Sequence, residues 1–189
     1  MLEGVNVQTV DILDLYKSAG GYLEGHFLLA SGRHSPKFLQ STTVMQHPHH
    51  TQAIGEAIAA QFDTVPDFVI GPAMGGIMLA HAVASAMGCR ALFAEKDGEG
   101  GMFIREAFAV KESETFIAVE DVMTTGGSLK KTIIAAKSYG ARCIGIGCII
   151  DRGLANLEPS PKALMKLEFP TYPADNCPLC DEGVALEEV

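Results

Sequence analysis

Phe116-Ile-Ala-Val-Glu-Asp-Val-Met-Thr-Thr-Gly-Gly-Ser-Leu129 is an apolar run that ends in two adjacent carboxylates, Glu120 and Asp121. It then turns through hydroxyl and glycine residues into a helical pattern. This order predicts a buried strand, a tight turn and a helix, the repeating unit of a parallel sheet covered on both faces. The turn leaves unpaired backbone N–H groups at the helix N-terminus, where they and the helix dipole favour an anion such as phosphate. Ionised carboxylates accept hydrogen bonds from sugar hydroxyls. The segment therefore suits a ligand that carries phosphate beside ribose. A plain Ser/Thr helix cap would not call for the paired acids. A P-loop would end in Gly-Lys-Ser/Thr, and a dinucleotide fingerprint would set its glycines directly after the strand, with an acid about twenty residues later.

Strand and helix signals alternate on either side of this unit. Helical spacing covers Val10 to Ser18, with Thr9 as N-cap, and stops at Gly20-Gly21. Phe27 to Ala30 and Lys37 to Gln40 read as short strands joined by the turn Ser31 to Pro36. A helix is predicted over His50 to Phe62, a strand over Phe68 to Ile70 and a helix over Ile77 to Met87. Ala91 to Phe93 is the next strand. The polar, glycine-rich stretch Glu95 to Met102 follows, and Phe103 to Val110 reads as a returning strand. Thr115 to Val119 is the strand of the opening segment, Leu129 to Tyr139 its helix, and Cys143 to Ile150 another apolar strand. The tail after Gly153 reads as irregular. The expected fold is α/β, a central, mainly parallel, twisted sheet flanked by helices in a single domain over residues 1–189.

The chain has 189 residues, with 14 basic and 23 acidic side chains and a net charge of −9, which argues against nucleic acid or an anionic membrane surface as partner. No apolar run approaches the roughly 20 residues of a transmembrane helix. The opening Met1 to Asn6 lacks a basic-then-apolar signal, so a cytoplasmic protein is expected. Five cysteines at scattered spacings point to reduced thiols. Cys177-Pro-Leu-Cys180 has zinc-knuckle spacing but supplies only half of a structural site. Cys89, Cys143 and Cys148 fall on or near core elements, so thiols without metal are the expectation. His47, His49 and His50 are expected to decorate a helix start.

In open α/β sheets, ligands gather outside the carboxyl ends of the strands. Three further strand ends should therefore meet Glu120 to Ser128. In Gly71-Pro-Ala-Met-Gly-Gly76, small residues let the backbone approach an anion, and Gly75 and Gly76 open a helix. In Ile149-Ile-Asp-Arg-Gly153, Arg152 offers a planar fork for a carboxylate or phosphate. Phe93 to Met102, with Lys96, has the glycines and charges of a mobile lid; Arg105 beyond it is a further cation for a diphosphate. Near the N-terminus, Phe38 could form a flat apolar wall for a ring.

The stretch Ile117 to Ser128 resembles the phosphoribosyl-diphosphate (PRPP) motif of the type I phosphoribosyltransferases along its whole length, with Glu120 where many members carry Asp. Gly71 to Gly76 resembles the same family's pyrophosphate loop, and Ser31-Gly-Arg-His-Ser-Pro36 resembles the signature of its orotate branch. Resemblance runs from Leu13 into the tail. It implies the type I phosphoribosyltransferase fold, with a core over about 50–153, a hood element over about 1–45 and a C-terminal tail, 154–189, that could join the hood. It implies a cis peptide at Ala73–Met74, Mg²⁺ held through PRPP with no direct protein ligand, and a homodimer.

The implied reaction transfers ribose 5-phosphate from PRPP to orotate, giving orotidine 5′-phosphate and diphosphate in pyrimidine biosynthesis. Glu120 and Asp121 would hold the ribose, and Val122, Met123, Thr124, Thr125, Gly126, Gly127 and Ser128 the 5′-phosphate loop. Ala73, Met74, Gly75 and Lys96 would meet the diphosphate. Arg152, Thr124 and Phe38 would meet orotate, and Lys96 and Asp121 would be catalytic. The family often has a basic residue at Ala30, and its longer lids carry more cations and a His than this one. A phosphoribosyltransferase for a purine or another base, or a non-catalytic PRPP-sensing regulator, remains as an alternative.

Overall fold

The computed structural model describes residues 11–29 and 31–189. In chain order the elements are α1 (Ile12–Ser18), β1 (Tyr22–Leu28), β2 (His34–Leu39), α2 (Ser41–Met45), α3 (Pro48–Ala59), β3 (Phe68–Pro72) and α4 (Gly76–Met87). Then follow β4 (Arg90–Lys96), β5 (Met102–Phe103), β6 (Thr115–Met123), α5 (Gly127–Lys137), β7 (Arg142–Asp151), β8 (Lys162–Lys166), α6 (Pro178–Asp181) and β9 (Glu187–Glu188). Six strands form one sheet in the order β5-β4-β3-β6-β7-β8, and three form another in the order β2-β1-β9. In the large sheet only β5 runs antiparallel to its neighbour.

The apolar run of β6 is continuous because both faces of its sheet are covered. Ile117 and Val119 join one core cluster with Ile54, Ile58 and Leu79 of α3 and α4. Phe116 and Ala118 join the other, with Leu129, Ile133 and Ala136 of α5. Each of the largest buried side chains is worth roughly 1.5–3 kcal/mol. The helices α3 and α4 cross closely at Gly55, where a Cβ would lie 2.7 Å from the Ala82 side chain and backbone. Any larger residue there would push the pair apart. Helix α4 ends at Gly88, whose φ of 70° is left-handed and costs glycine little.

The small sheet departs most from expectation. The first hairpin strands are longer than predicted, and Pro36 lies inside β2 instead of in the turn. An edge strand tolerates proline because one row of its backbone groups has no strand partner. Helix α1 is capped by Asp11, whose carboxylate accepts a hydrogen bond from Asp14 N at 3.0 Å. The predicted start at Thr9 and Val10 lies outside the described residues, as does Ala30.

The tail is not irregular. Lys162–Lys166 adds β8 to the large sheet, with charged ends that suit an edge. Residues beyond it return to the first hairpin. Arg33 Nε donates to Thr171 Oγ1 at 2.9 Å, His34 pairs with Tyr172, and β9 runs parallel to β1. N- and C-terminal segments thus build one hood together. The expected strand over Phe103 to Val110 shrinks to β5 and a single 3₁₀ turn at Glu106–Phe108, fastened where Tyr139 OH donates to the Ile104 carbonyl at 3.0 Å.

Candidate active site

Four neighbouring strands deliver the predicted segments side by side. In sheet order these are β4 with Lys96, β3 with Ala73 to Gly75, β6 with Glu120 to Ser128, and β7 with Asp151 and Arg152. Backbone bonds hold their loops in step. Ala73 N donates to the Ala94 carbonyl at 2.8 Å, and Arg152 N donates to the Met123 carbonyl at 2.9 Å. The Ala73–Met74 peptide is cis.

Asp121 stands directly over the β3 loop. A Cβ on Gly75 would lie 3.3 Å from Asp121 Oδ2, so only glycine leaves the carboxylate where it is. Glu120 is half-buried, and burial together with the charge of Asp121 raises its pKa from 4.5 to about 8. Neither acid forms an ion pair among the described residues. Both therefore retain acceptor capacity for a donor that arrives with a ligand. Behind them, Tyr16 is fully buried and hydrogen-bonded to Ser41 at 2.8 Å; burial, with a smaller contribution from Asp121, raises its phenol pKa.

The turn after β6 presents Thr124, Thr125, Gly127 and Ser128 to solvent, while Met123 and Gly126 are buried and Val122 is half-buried. Gly126 caps α5 with a φ of 70°, and a Cβ there would meet Leu157 Cδ1 at 2.9 Å. The helix N-terminus thus stays open on one side and packed on the other. An anion placed there meets unpaired N–H groups and the positive end of an 11-residue helix.

Arg152 is 8 % exposed, and its guanidinium lies 3.4 Å from the centroid of the Phe169 ring. One Nη2–H donates to the Phe169 carbonyl at 3.2 Å, while the buried Nε–H has no partner among the described residues. Burial disfavours the charged form and lowers its pKa, yet a guanidinium stays protonated in proteins. Arg152 is not the surface partner of Asp151, whose Oδ1 instead accepts from Gly153 N at 2.8 Å. Phe169 was missed from sequence, since a lone aromatic in a Pro-rich tail carries no periodic signal.

Two further candidates have partners within the chain. Phe38 is half-buried against Phe27, with ring centroids 5.9 Å apart, and the aromatic face against Arg152 belongs to Phe169. Arg105 is engaged by Glu95, with Nη2 2.8 Å from Oε1 and a second bond from Nε. Lys96 is exposed at the end of β4, opposite Met102. The stretch expected to be a mobile lid takes the form of a hairpin turn. Asp97 Oδ1 accepts from both Glu99 N and Gly101 N at 2.8 Å, and this small loop closes between β4 and β5. An apolar groove of about 760 Å³ between α3 and α4 is bordered by Met45, Met78 and His81.

Comparison with known proteins gives the family. Residues 40–171 match the model of the phosphoribosyl transferase domain. The chain is 54% identical to an orotate phosphoribosyltransferase of Thermus thermophilus over 183 residues, covering 95% of this chain and 100% of that one. It is 50% identical to one from Deinococcus radiodurans over 179 residues, covering 89% and 92%. Among solved structures, orotate phosphoribosyltransferase from Aeropyrum pernix superposes with a TM-score of 0.70 at 22% identity, covering 82% of this chain and 93% of that one. An adenine phosphoribosyltransferase from Thermoanaerobacter pseudethanolicus gives 0.61 at 19% identity, covering 69% and 88%. At these identities the structural likeness establishes the fold alone.

Proposed function

The chain belongs to the phosphoribosyltransferase family, and from that premise we propose that it is an orotate phosphoribosyltransferase. It transfers ribose 5-phosphate from PRPP to N1 of orotate in pyrimidine biosynthesis. As diphosphate departs, the ribose C1 gains oxocarbenium character, so the protein's task is positioning and charge stabilisation. Glu120 and Asp121 accept hydrogen bonds from the ribose hydroxyls. Thr124, Thr125, Gly126, Gly127 and Ser128 cradle the 5′-phosphate, with Val122 and Met123 carrying the loop. Ala73, Met74 and Gly75 offer backbone to the diphosphate, and Lys96 supplies positive charge to it as it leaves.

Arg152 receives the orotate carboxylate, with Thr124 near the base and Phe38 as an apolar wall. The observation that favours orotate over a purine is the buried Nε–H of Arg152, which lacks an acceptor. Leaving such a donor unmet costs about 1–3 kcal/mol, and a planar carboxylate would satisfy it.

Two acids without a cationic partner fit Mg²⁺ brought in with PRPP: the ion would be held through the substrate and water, and Glu120 and Asp121 would stand beside it without ligating it directly. When bound, Mg²⁺ neutralises charge on the leaving group. The enzyme acts in the cytoplasm as a homodimer, the assembly that family resemblance implies. No helix among the described residues is long and apolar enough to cross a membrane.

The deciding experiment follows diphosphate release from PRPP and Mg²⁺ with orotate, uracil, adenine, hypoxanthine or xanthine. Release with orotate alone is expected. Turnover of a purine would replace the substrate, and PRPP binding without turnover on any base would favour a regulator.

A further inference from the structure

We propose that His26, His34, Cys177 and Cys180 form a structural Zn²⁺ site that fastens the C-terminal segment to the N-terminal hairpin of the hood. One donor atom from each residue lies within 4.8 Å of every other. His26 Nε2 is 2.9 Å from His34 Nδ1, 3.5 Å from Cys177 Sγ and 3.8 Å from Cys180 Sγ, and Cys180 Sγ is 3.4 Å from His34 Nδ1. A tetrahedral ion with Zn–N bonds of about 2.0–2.1 Å and Zn–S bonds of about 2.3 Å separates its donors by roughly 3.3–3.8 Å. Three of the distances to sulfur already fit; the two imidazoles would part by a few tenths of an ångström, and the widest donor pair, up to 4.8 Å apart, would close by about 1 Å.

A backbone carbonyl sets the orientation of His26. His26 Nδ1 lies 2.8 Å from the Val184 carbonyl, which can only accept, so Nδ1 carries the proton and Nε2 turns its lone pair to the cluster. An imidazole held by a backbone carbonyl in this way is the usual outer support of a zinc ligand. A register break in β1 between Glu24 and Phe27 releases His26 from regular strand alternation, as bulges do when they re-aim a side chain. On the other side, Cys180 N and Asp181 N both donate to the Cys177 carbonyl, and this one-turn helix brings both sulfurs to one side.

His26, His34 and Cys177 are 1, 5 and 2 % exposed, and Cys180 closes the outer face. Four protein donors and no open position describe a structural ion, and the S₂N₂ donor set selects zinc among common metals. The pair Cys177 and Cys180 looked incomplete in sequence because its partners lie about 150 residues away, on an element it meets only in the folded hood.

The test measures metal on the full chain, purified without chelator or polyhistidine tag from cells supplied with zinc. Elemental analysis should find one zinc per chain, and Cys180→Ser and His26→Gln should each lose most of it. Because either variant could misfold, the wild type is also stripped with a chelator and titrated with Co²⁺. Tetrahedral cobalt bands with a thiolate charge-transfer band should appear, and removal of zinc should lower the melting temperature by roughly 10 °C. Wild-type protein with negligible zinc and no cobalt spectrum would overturn the proposal. So would equal zinc in wild type and Cys180→Ser, or a Cys177–Cys180 disulfide found by mass in the protein as purified.

Discussion

Replacing Arg152 with alanine tests whether a carboxylate is what its buried guanidinium awaits. In the substrate-free chain this side chain has one hydrogen bond to the Phe169 carbonyl, a stacked ring and an unmet Nε–H. Its removal takes away a desolvated charge that no acid neutralises, so stability should change little, by about 1 kcal/mol in either direction. Transition-state binding of orotate should suffer far more. A hydrogen bond to a charged group is worth about 1.5–3 kcal/mol, and 1.36 kcal/mol is a factor of ten, so kcat/KM for orotate should fall roughly 10- to 150-fold. The KM for PRPP should stay within about threefold, because the ribose and phosphate contacts lie on other strands. Lysine at this position keeps charge but not the planar fork and should recover only part of the loss. Steady-state kinetics with each substrate varied, together with urea unfolding, measure all of this. Equal rises in both KM values, or a loss of activity that simply follows a loss of stability, would refute the reasoning.

Glu120, raised to about 8 in the folded chain against 4.5 unfolded, makes stability pH-dependent. Because the folded value is the higher, its contribution is complete below about pH 4.5 and is lost as pH rises through 8, on the order of 1–3 kcal/mol after allowing for partial exposure. Urea titrations should show Glu120→Gln removing that slope, and calorimetry at pH 7 in buffers of different ionisation enthalpy should find proton release when Mg·PRPP binds. Gly75→Ala should force Asp121 aside by a few tenths of an ångström and lower kcat/KM for PRPP by about tenfold with the fold retained, which kinetics and circular dichroism would check. Lys96→Ala should reduce kcat by about a hundredfold while changing the KM for orotate little, as expected of charge met by the departing diphosphate; an unchanged kcat in single-turnover measurements would remove Lys96 from the reaction.

The parallel sheet and the central loop were legible because both are local. The β6 strand, its acids and the turn into α5 form one continuous stretch, and the period of each neighbouring segment names its own element. What escaped depends on distant pairing. The β8 segment, Lys-Ala-Leu-Met-Lys, has too little apolar character to read as a strand until β7 offers an edge. The two residues of β9 have no strand signature beyond their place beside Phe27 and Leu28. Phe169 acquires meaning only by lying against Arg152. The hairpin form of the lid was not legible because glycine content measures freedom in the unfolded chain, whereas the Asp97 carboxylate that gathers two N–H groups belongs to the folded turn.

The hood's small sheet has a consequence for local unfolding. Once the core is folded, the tail from Lys166 to Glu187 still forms a loop of about twenty residues, and closing it costs roughly 2.7 kcal/mol before any of its residues are ordered. Two residues of strand pairing cannot offset that, so the hood depends on its few cross-links, among them Arg33 to Thr171 and His34 to Tyr172. In the zinc-free chain it should therefore open as a unit, well below the free energy of global unfolding, while the strand ends beneath it stay intact. Amide exchange at Leu28 and His34 would then be much faster than at Ile117 or Ile146, and weakening the tail would expose the orotate side of the site without dismantling the side that holds ribose and phosphate.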